Sequence, residues 1–297
     1  MMQKKESLTV EIAGGLGNQL FMFYAGLYLQ EKYQREVVFD TSDLSRIQEL
    51  HPGANIQTLG LLDEYVTTSG SNTSHFRIDR IRSGFRRLTK STSQSGTFFP
   101  EEIGFINPNM IPPTIKRIRG YFQSWVYYDS LSNKPILSLE SLSSPSRWLL
   151  DKIERTKREN VLSLHVRRGD YALPANRMNG ILSKGYYKEA INNAGAYDAI
   201  WIFTDSPKEV EKDFLQLGHP IETIIPPDHS DPVESLLLMA ATKKIVISNS
   251  TYSWWSAMIA GDAATVYAPS KWYELREDPS KLVPDNWKRI PSEWAKQ

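Results

Sequence analysis

Val161-Leu162-Ser163-Leu164-His165-Val166-Arg167-Arg168-Gly169-Asp170-Tyr171 is the stretch whose reading decides the fold. A short apolar run with β-branched ends stops abruptly at two arginines and a glycine. Apolar runs without strict alternation fit strands buried on both faces of a parallel sheet. The rhythm continues on the C-terminal side. Tyr186–Ala196 reads as a helix, Ala199–Thr204 as a second strand, and Pro207–Leu217 as a helix with Val210, Phe214 and Leu217 at helical spacing. Pro207 suits a first helical position and Gly218 a stop. Ile221–Ile225, Ile245–Ser248 and Ala264–Ala268 read as three more strands, with helices at Val233–Ala241 and Tyr252–Ala260 between them. Strands alternating with helices over short connections imply a parallel sheet covered on both faces.

On the N-terminal side, Trp148–Arg158 reads as a helix leading into this series. The chain opens with the same pattern: strand Leu8–Ile12, helix Asn18–Lys32, strand Glu36–Phe39. Residues 41–120 are rich in Ser, Thr, Pro and Gly and show no clean period. The expected class is therefore α/β, with two doubly wound Rossmann-like domains facing each other across a cleft. The boundary is placed near residue 155, giving domains 1–155 and 156–297, with the last helix a candidate to pack back on the N-terminal domain. Ligands of such sheets bind beyond the carboxyl ends of the strands, and each motif below sits at such an end.

Composition narrows the classes. The 297 residues are 40% hydrophobic and 23% charged, which is a globular composition and excludes coiled coil, collagen and long disorder. A net charge of +1 argues against a nucleic-acid binder. The absence of cysteine excludes disulfides, thiolate zinc sites and cysteine nucleophiles, and fits a reducing cytoplasm. Val10–Leu29 carries one charge but is interrupted by Gly14, Gly15, Gly17, Asn18 and Gln19, so it reads as strand, turn and helix, not as a span or a signal segment. The chain is expected to be soluble.

Four segments carry chemistry. Gly14-Gly15-Leu16-Gly17-Asn18-Gln19 joins the first strand to the first helix. Its glycines permit a tight turn, and the helix start offers free N–H groups. It serves equally as a structural turn or as part of a dinucleotide fingerprint, with Asp40, 23 residues after Gly17, near the ribose-binding position. Leu20 occupies the third glycine position of that fingerprint. The second segment is His165–Tyr171. Guanidinium matches phosphate with paired hydrogen bonds, while a salt-bridged loop held by Asp170 is the plainer alternative. The third is Phe203-Thr204-Asp205-Ser206. Its carboxylate could accept two hydrogen bonds from guanine, or Asp205 or Ser206 could cap the helix after Pro207. The fourth, Ser248-Asn249-Ser250-Thr251-Tyr252-Ser253-Trp254-Trp255-Ser256, places hydroxyls in a first helical turn like an anion cradle, with the tryptophans as core. The chain has no Gly-rich loop ending in Lys-Ser or Lys-Thr, no Asp-x-Asp pair and no close histidine pair, so phosphate charge would fall to arginine and helix ends.

Taken together, these segments resemble the α-1,2-fucosyltransferase family, in family order and over roughly residues 8–270. Gly120-Tyr121-Phe122-Gln123-Ser124-Trp125 resembles a further block of it. The resemblance implies a GT-B-like fold and an inverting, metal-independent transfer of L-fucose from GDP-β-L-fucose. It implies the 2-hydroxyl of a terminal galactose as acceptor, in a surface-polysaccharide oligosaccharide or a lipid-linked glycan. Carried over, Arg167 grips the β-phosphate, Arg168 and Asp170 hold the loop, and His165 contacts donor or sugar. Asp205 reads guanine, and Asn249, Ser250, Thr251 and Ser253 line the diphosphate. Gly15, Gly17 and Asn18 approach the fucose. Arg167, Asp170 and His165 form the catalytic set, with no cofactor and no metal site. Met22 departs from the family pattern, where a glutamine is common. An NAD-linked oxidoreductase built on the Gly14–Gly17 turn, and a non-catalytic carbohydrate-binding protein, are the alternatives. Phe76, Ile81, Phe85 and Leu88 with six surrounding basic residues form an amphipathic pattern over 76–90. It fits either a solvated helix or a peripheral contact with the inner face of the cytoplasmic membrane.

Overall fold

The computed structural model describes residues 7–44, 55–69, 96–112, 114–214, 220–228 and 231–296; the basic segment 76–90 lies outside them. The chain forms two compact units, Met1–Pro135 with Pro279–Leu282, and Ile136–Asp278 with Val283–Gln297. The division falls at Pro135, ahead of the boundary expected near residue 155. The reason is the amphipathic helix Arg147–Arg158, which belongs wholly to the second unit. Its cap residue Ser146 donates from N and Oγ to Glu234, 2.6 Å each, and Lys152 and Arg155 both pair with Glu222.

The first unit contains β1 (Leu8–Glu11), α1 (Leu16–Tyr33), β2 (Val37–Asp40), β3 (Val66–Thr68), β4 (Thr97–Phe98), β5 (Arg117–Ile118) and α2 (Trp125–Asp129). Its sheet runs β3-β2-β1-β5-β4, every pair parallel, with Val10 of β1 opposite Phe39 and Ile118. The order reverses between β1 and β5. Helix α1 buries Leu20, Phe21, Met22, Phe23, Tyr24 and Ala25 in succession. A helix apolar all round is one enclosed by its neighbours. Strands β4 and β5 are two residues long, too short for any period to reveal.

The second unit contains α3 (Arg147–Arg158), β6 (Val161–Val166), α4 (Lys184–Asn193), β7 (Ala199–Thr204), α5 (Pro207–Phe214), β8 (Ile221–Thr223), α6 (Pro232–Ala240), β9 (Lys244–Val246), α7 (Thr251–Ala260), β10 (Thr265–Pro269) and β11 (Lys288–Ile290). Its sheet runs β11-β10-β9-β6-β7-β8, all parallel. Counted from its own first strand this is the 3-2-1-4-5-6 order of nucleotide-binding sheets, with the reversal between β6 and β9. All six residues of β6 are buried, and Leu162, Leu164 and Val166 pack with Tyr186, Tyr187, Ile200, Ile202 and Tyr267. The α/β class with two parallel sheets is as expected. The closing helix is not: among the described residues the chain ends in β11, paired beside β10, and in a bridge between Leu182 and Trp294. Pro284 and Pro291 bracket β11 and disfavour helix, while the free edge of β10 offers a ladder.

Candidate active site

Helix starts separate the two kinds of strand–helix junction. Ser124, Ser146, Ser183 and Asp231 cap α2, α3, α4 and α6 with side-chain oxygens. Gly15 before α1 and Ser250 before α7 make no side-chain cap. These two helices follow β1 and β9, each one of the two strands that flank the reversal in its sheet. A helix leaves its first N–H groups without intrahelical partners, and its dipole favours an anion there. The uncapped starts therefore fall where open α/β sheets bind ligands.

In the second unit the arginine segment is built around two carboxylates. Arg167 Nη2 donates to Asp170 Oδ1 at 2.5 Å, and Nη1 pairs with Asp205 Oδ2 at 3.0 Å. Its guanidinium leans on the Tyr171 ring, 5.5 Å to the centroid, and its Nε is buried without a hydrogen-bond partner. Arg168 turns the other way. It is buried, and its Nη1 donates to the carbonyls of Arg167 and Leu182 at 3.1 and 3.0 Å, so it ties the loop to the chain that follows. Asp205 Oδ1 accepts from Arg168 N at 2.9 Å and Ser206 Oγ from Gly169 N at 3.3 Å. Both side chains thus brace the arginine loop. A Cβ on Gly169 would run into the Asp205 carboxylate, so only glycine fits there.

His165 ends β6 one residue before Val166. Its Nδ1 lies 2.7 Å from Ser248 Oγ, its carbonyl accepts from Tyr187 Oη, and its ring tilts on Tyr252. Burial, reinforced by the Arg167 charge, pushes its pKa down to about 3, so the ring is neutral at ordinary pH. Asn249 Nδ2 holds the carbonyls of Asn179 and Gly180, and its own carbonyl accepts from Tyr171 Oη at 3.0 Å. Ser253 Oγ donates back to Ser250 O at 3.1 Å, while Thr251 opens α7 half-buried. Trp254 and Trp255 are core, as the sequence suggests. His165, Arg167, Arg168, Asp170, Asp205, Asn249, Ser250, Thr251 and Ser253 thus converge on the carboxyl ends of β6, β7 and β9. Among the described residues, no group of three or more His, Asp and Glu side chains could hold a metal ion.

Gly15, Gly17 and Asn18 lie in the first unit, at the carboxyl end of β1. Gly14 has φ +76°, and a Cβ there would sit 3.2 Å from Asn18 Cβ. Gln19 is fully buried and pins the turn, donating to Gly14 O at 2.7 Å and accepting from Ile56 N at 2.8 Å. Met22 Sδ accepts from Ala13 N at 3.2 Å, so the residue that departs from the family pattern still satisfies a strand-end amide. Asn18 Oδ1 accepts from Gln123 Nε2 at 2.9 Å, and the preceding Phe122 is a buried aromatic residue at φ +51°. Such strain in a bulky residue persists only where surroundings fix it. Asp40 is not available to a ribose. Arg117 Nη1 donates to it at 2.5 Å, and Ser42 donates from N and Oγ. Burial alone would raise its pKa, but the Ser42 and Arg117 hydrogen bonds outweigh it and hold the carboxyl below its usual value.

Sequence reading missed Glu11, which takes Arg117 on one oxygen and Arg119 on the other, because its partners lie more than a hundred residues away around a two-residue strand that shows no period. It also left without roles Tyr171, quoted within its motif, and Arg276, which lies in an aperiodic loop.

Residues 118–290 match the model of glycosyl transferase family 11, and the chain belongs to that family. The resemblance read from the motifs is borne out, and nothing favours an oxidoreductase. The chain is 28% identical over 300 residues to the O-antigen biosynthesis glycosyltransferase WbnK of Escherichia coli, covering 93% of this chain and 98% of that protein. It is 24% identical over 302 residues to an alpha-1,2-colitosyltransferase of Escherichia coli, covering 95% and 98%. Among solved structures, fucosyltransferase NodZ from Bradyrhizobium overlaps 86% of this chain and 94% of its own at 10% identity and a TM-score of 0.45. The protein is a glycosyltransferase. Among the described residues no helix is long and apolar enough to cross a membrane.

Proposed function

We propose that this glycosyltransferase moves L-fucose from GDP-β-L-fucose to the 2-hydroxyl of a terminal galactose, in an O-antigen-like surface oligosaccharide or its lipid-linked precursor. The transfer inverts the anomeric carbon and needs no metal. One observation carries the reading. At the reversal of the second sheet, a half-buried arginine is held by two carboxylates, in the same cluster as the uncapped start of α7. The names of the two Escherichia coli relatives support an O-antigen setting and an α-1,2 linkage. The colitosyltransferase relative favours a second reading that changes only the sugar on the donor.

Breaking the glycosyl–phosphate bond leaves charge on the departing diphosphate. Arg167, preorganised by Asp170 and Asp205, and the first N–H groups of α7 stabilise that charge more in the transition state than in the ground state. Ser250 and Thr251 flank the phosphates. Arg168, Asp205, Asn249 and Ser253 shape the cradle, which gives Asp205 a bracing role in place of guanine recognition. Asp170 holds Arg167, and neutral His165 positions the β6 end through Ser248. Gly15, Gly17 and Asn18 form the sugar-facing turn of the first unit. The work is expected to take place in the cytoplasm, against the inner membrane face if segment 76–90 binds anionic lipid. Flotation with anionic vesicles tests that contact, and no salt-sensitive binding would remove it.

The test of the reaction is GDP release from GDP-fucose in EDTA, with lactose added or withheld. Lactose-dependent release with fucose on galactose O2 is the expected result. A chain that neither releases GDP nor binds it would overturn the reading.

A further inference from the structure

Arg276 lies in the loop after β10, at the same carboxyl edge of the sheet as Arg167. Its guanidinium carbon sits 3.5 Å from the Tyr273 ring centroid, so the two planes are in contact. Its Nε is buried without a hydrogen-bond partner, and among the described residues it forms no ion pair. The loop that carries it is rigid by construction. Asp278 accepts from Trp272 N and Tyr273 N at 2.8 to 3.0 Å, closing the turn from within. Glu274 N and Leu275 N donate to the carbonyls of Asn179 and Met178, at 3.4 Å each. Those two residues belong to the loop that begins at Arg167. Asn249 holds it at Asn179, and Asn176 ties it back to Asp170 through the Asp170 carbonyl.

The loop that carries Arg276 is therefore docked onto the arginine loop by backbone hydrogen bonds, with Arg276 resting on the Tyr273 ring and Arg167 on the Tyr171 ring. The Tyr171 phenol senses both cations: burial and Tyr273 push its pKa up, while Arg167 and Arg276 oppose them. A half-buried guanidinium set on an aromatic ring, with no carboxylate in ion-pair reach among the described residues, is arranged for an anion that arrives from outside. Arg167 spends two of its donors on carboxylates. Arg276 spends none of its charge that way.

We infer that Arg276 is the second guanidinium of the donor site, binding one phosphate of a nucleoside diphosphate while Arg167 binds the other. The inference rests on the nucleotide-sugar reading above and adds a binding residue that no sequence motif marks. Two arginines, each set on its own tyrosine ring, select two linked phosphates over one, and so favour a diphosphate donor over a monophosphate.

The experiment is calorimetric titration of GDP and of guanosine into the wild type, Arg276→Gln and Arg276→Lys, with thermal midpoints recorded for each. Arg276→Gln is expected to weaken GDP about tenfold or more, since hydrogen bonds to charged groups are worth that much. Guanosine affinity and the thermal midpoint should stay near wild type, and Arg276→Lys should recover part of the loss. Equal GDP affinity in wild type and Arg276→Gln would overturn the role of Arg276 and leave the transferase reading standing. Equal losses for GDP and guanosine would show a merely structural residue and overturn it too. A wild-type chain that binds no GDP would overturn both.

Discussion

Both sheets reverse beside their first strand, but the charged side chains at their carboxyl ends are paired differently. In the first unit, Glu11 and Asp40 leave β1 and β2 and meet Arg117 and Arg119 at β5, two acids against two bases in contact. In the second, Asp170 and Asp205 hold Arg167, and Arg276 stands without an acid partner among the described residues. At one end each arginine has an acid partner, and at the other Arg276 has none among the described residues. An uncapped helix start is common to both, so it marks a ligand edge in each sheet, but it does not say which ligand. The proposed function assigns the diphosphate to the second unit and the sugar to the first, and the charge difference is what that assignment rests on.

The largest effect should come from the second unit. Arg167→Ala is expected to lower transferase turnover by about 10²–10³ while the fold persists, because a preorganised donor to the leaving group is lost. GDP release with circular dichroism in parallel checks it, and near-normal turnover would remove the arginine from the chemistry. Arg117→Met should act on stability. It strips the shared partner from two buried carboxylates at a cost of about 3 kcal/mol, read by urea unfolding, with little change in GDP affinity. A variant that unfolds normally but loses GDP would break the division of labour between the two ends.

His165 supplies a smaller effect, graded with pH. Its folded pKa of about 3 lies below the ordinary histidine value, so below pH 6.5 the unfolded chain takes up a proton that the folded chain refuses. Stability should fall by about 1.4 kcal/mol per pH unit from 6.5 toward 3, with no contribution above 6.5. His165→Gln should flatten that slope, and the rate profile between pH 6 and 8 should show no limb from this ring. The smallest contrast concerns caps. Ser146→Ala should cost about 1 kcal/mol by removing a cap, whereas Ser250→Ala should cost almost nothing. Equal losses would mean that Ser250 caps α7 in solution.

The second unit was legible because its strands are long and apolar and its chemistry follows them directly in sequence. Val161–Val166 and Ala199–Thr204 announce both the sheet and the loops beyond it. The first unit was half legible. Leu8–Glu11 and the glycine turn are plain, but β3, β4 and β5 are two or three residues long, and pairing across distant sequence defines them. The same limit hid Arg276, which reaches the arginine loop through backbone bonds from residue 274 to residue 179. Asp205 was read as a guanine reader or a helix cap. The structure adds partners that neither reading named, the Arg168 amide and the Arg167 guanidinium, on another strand end. The C-terminal strand Lys288–Ile290 was not read at all, because a three-residue edge carries no period of its own.

The most direct measurement is calorimetric titration of GDP into the full chain in EDTA, repeated with Arg167→Ala. One GDP per wild-type chain, with binding lost or weakened at least about tenfold in the variant, is the expected result. No GDP binding by the wild type, or the same affinity in both chains, would contradict the assignment of the second sheet's arginine edge to a nucleoside diphosphate.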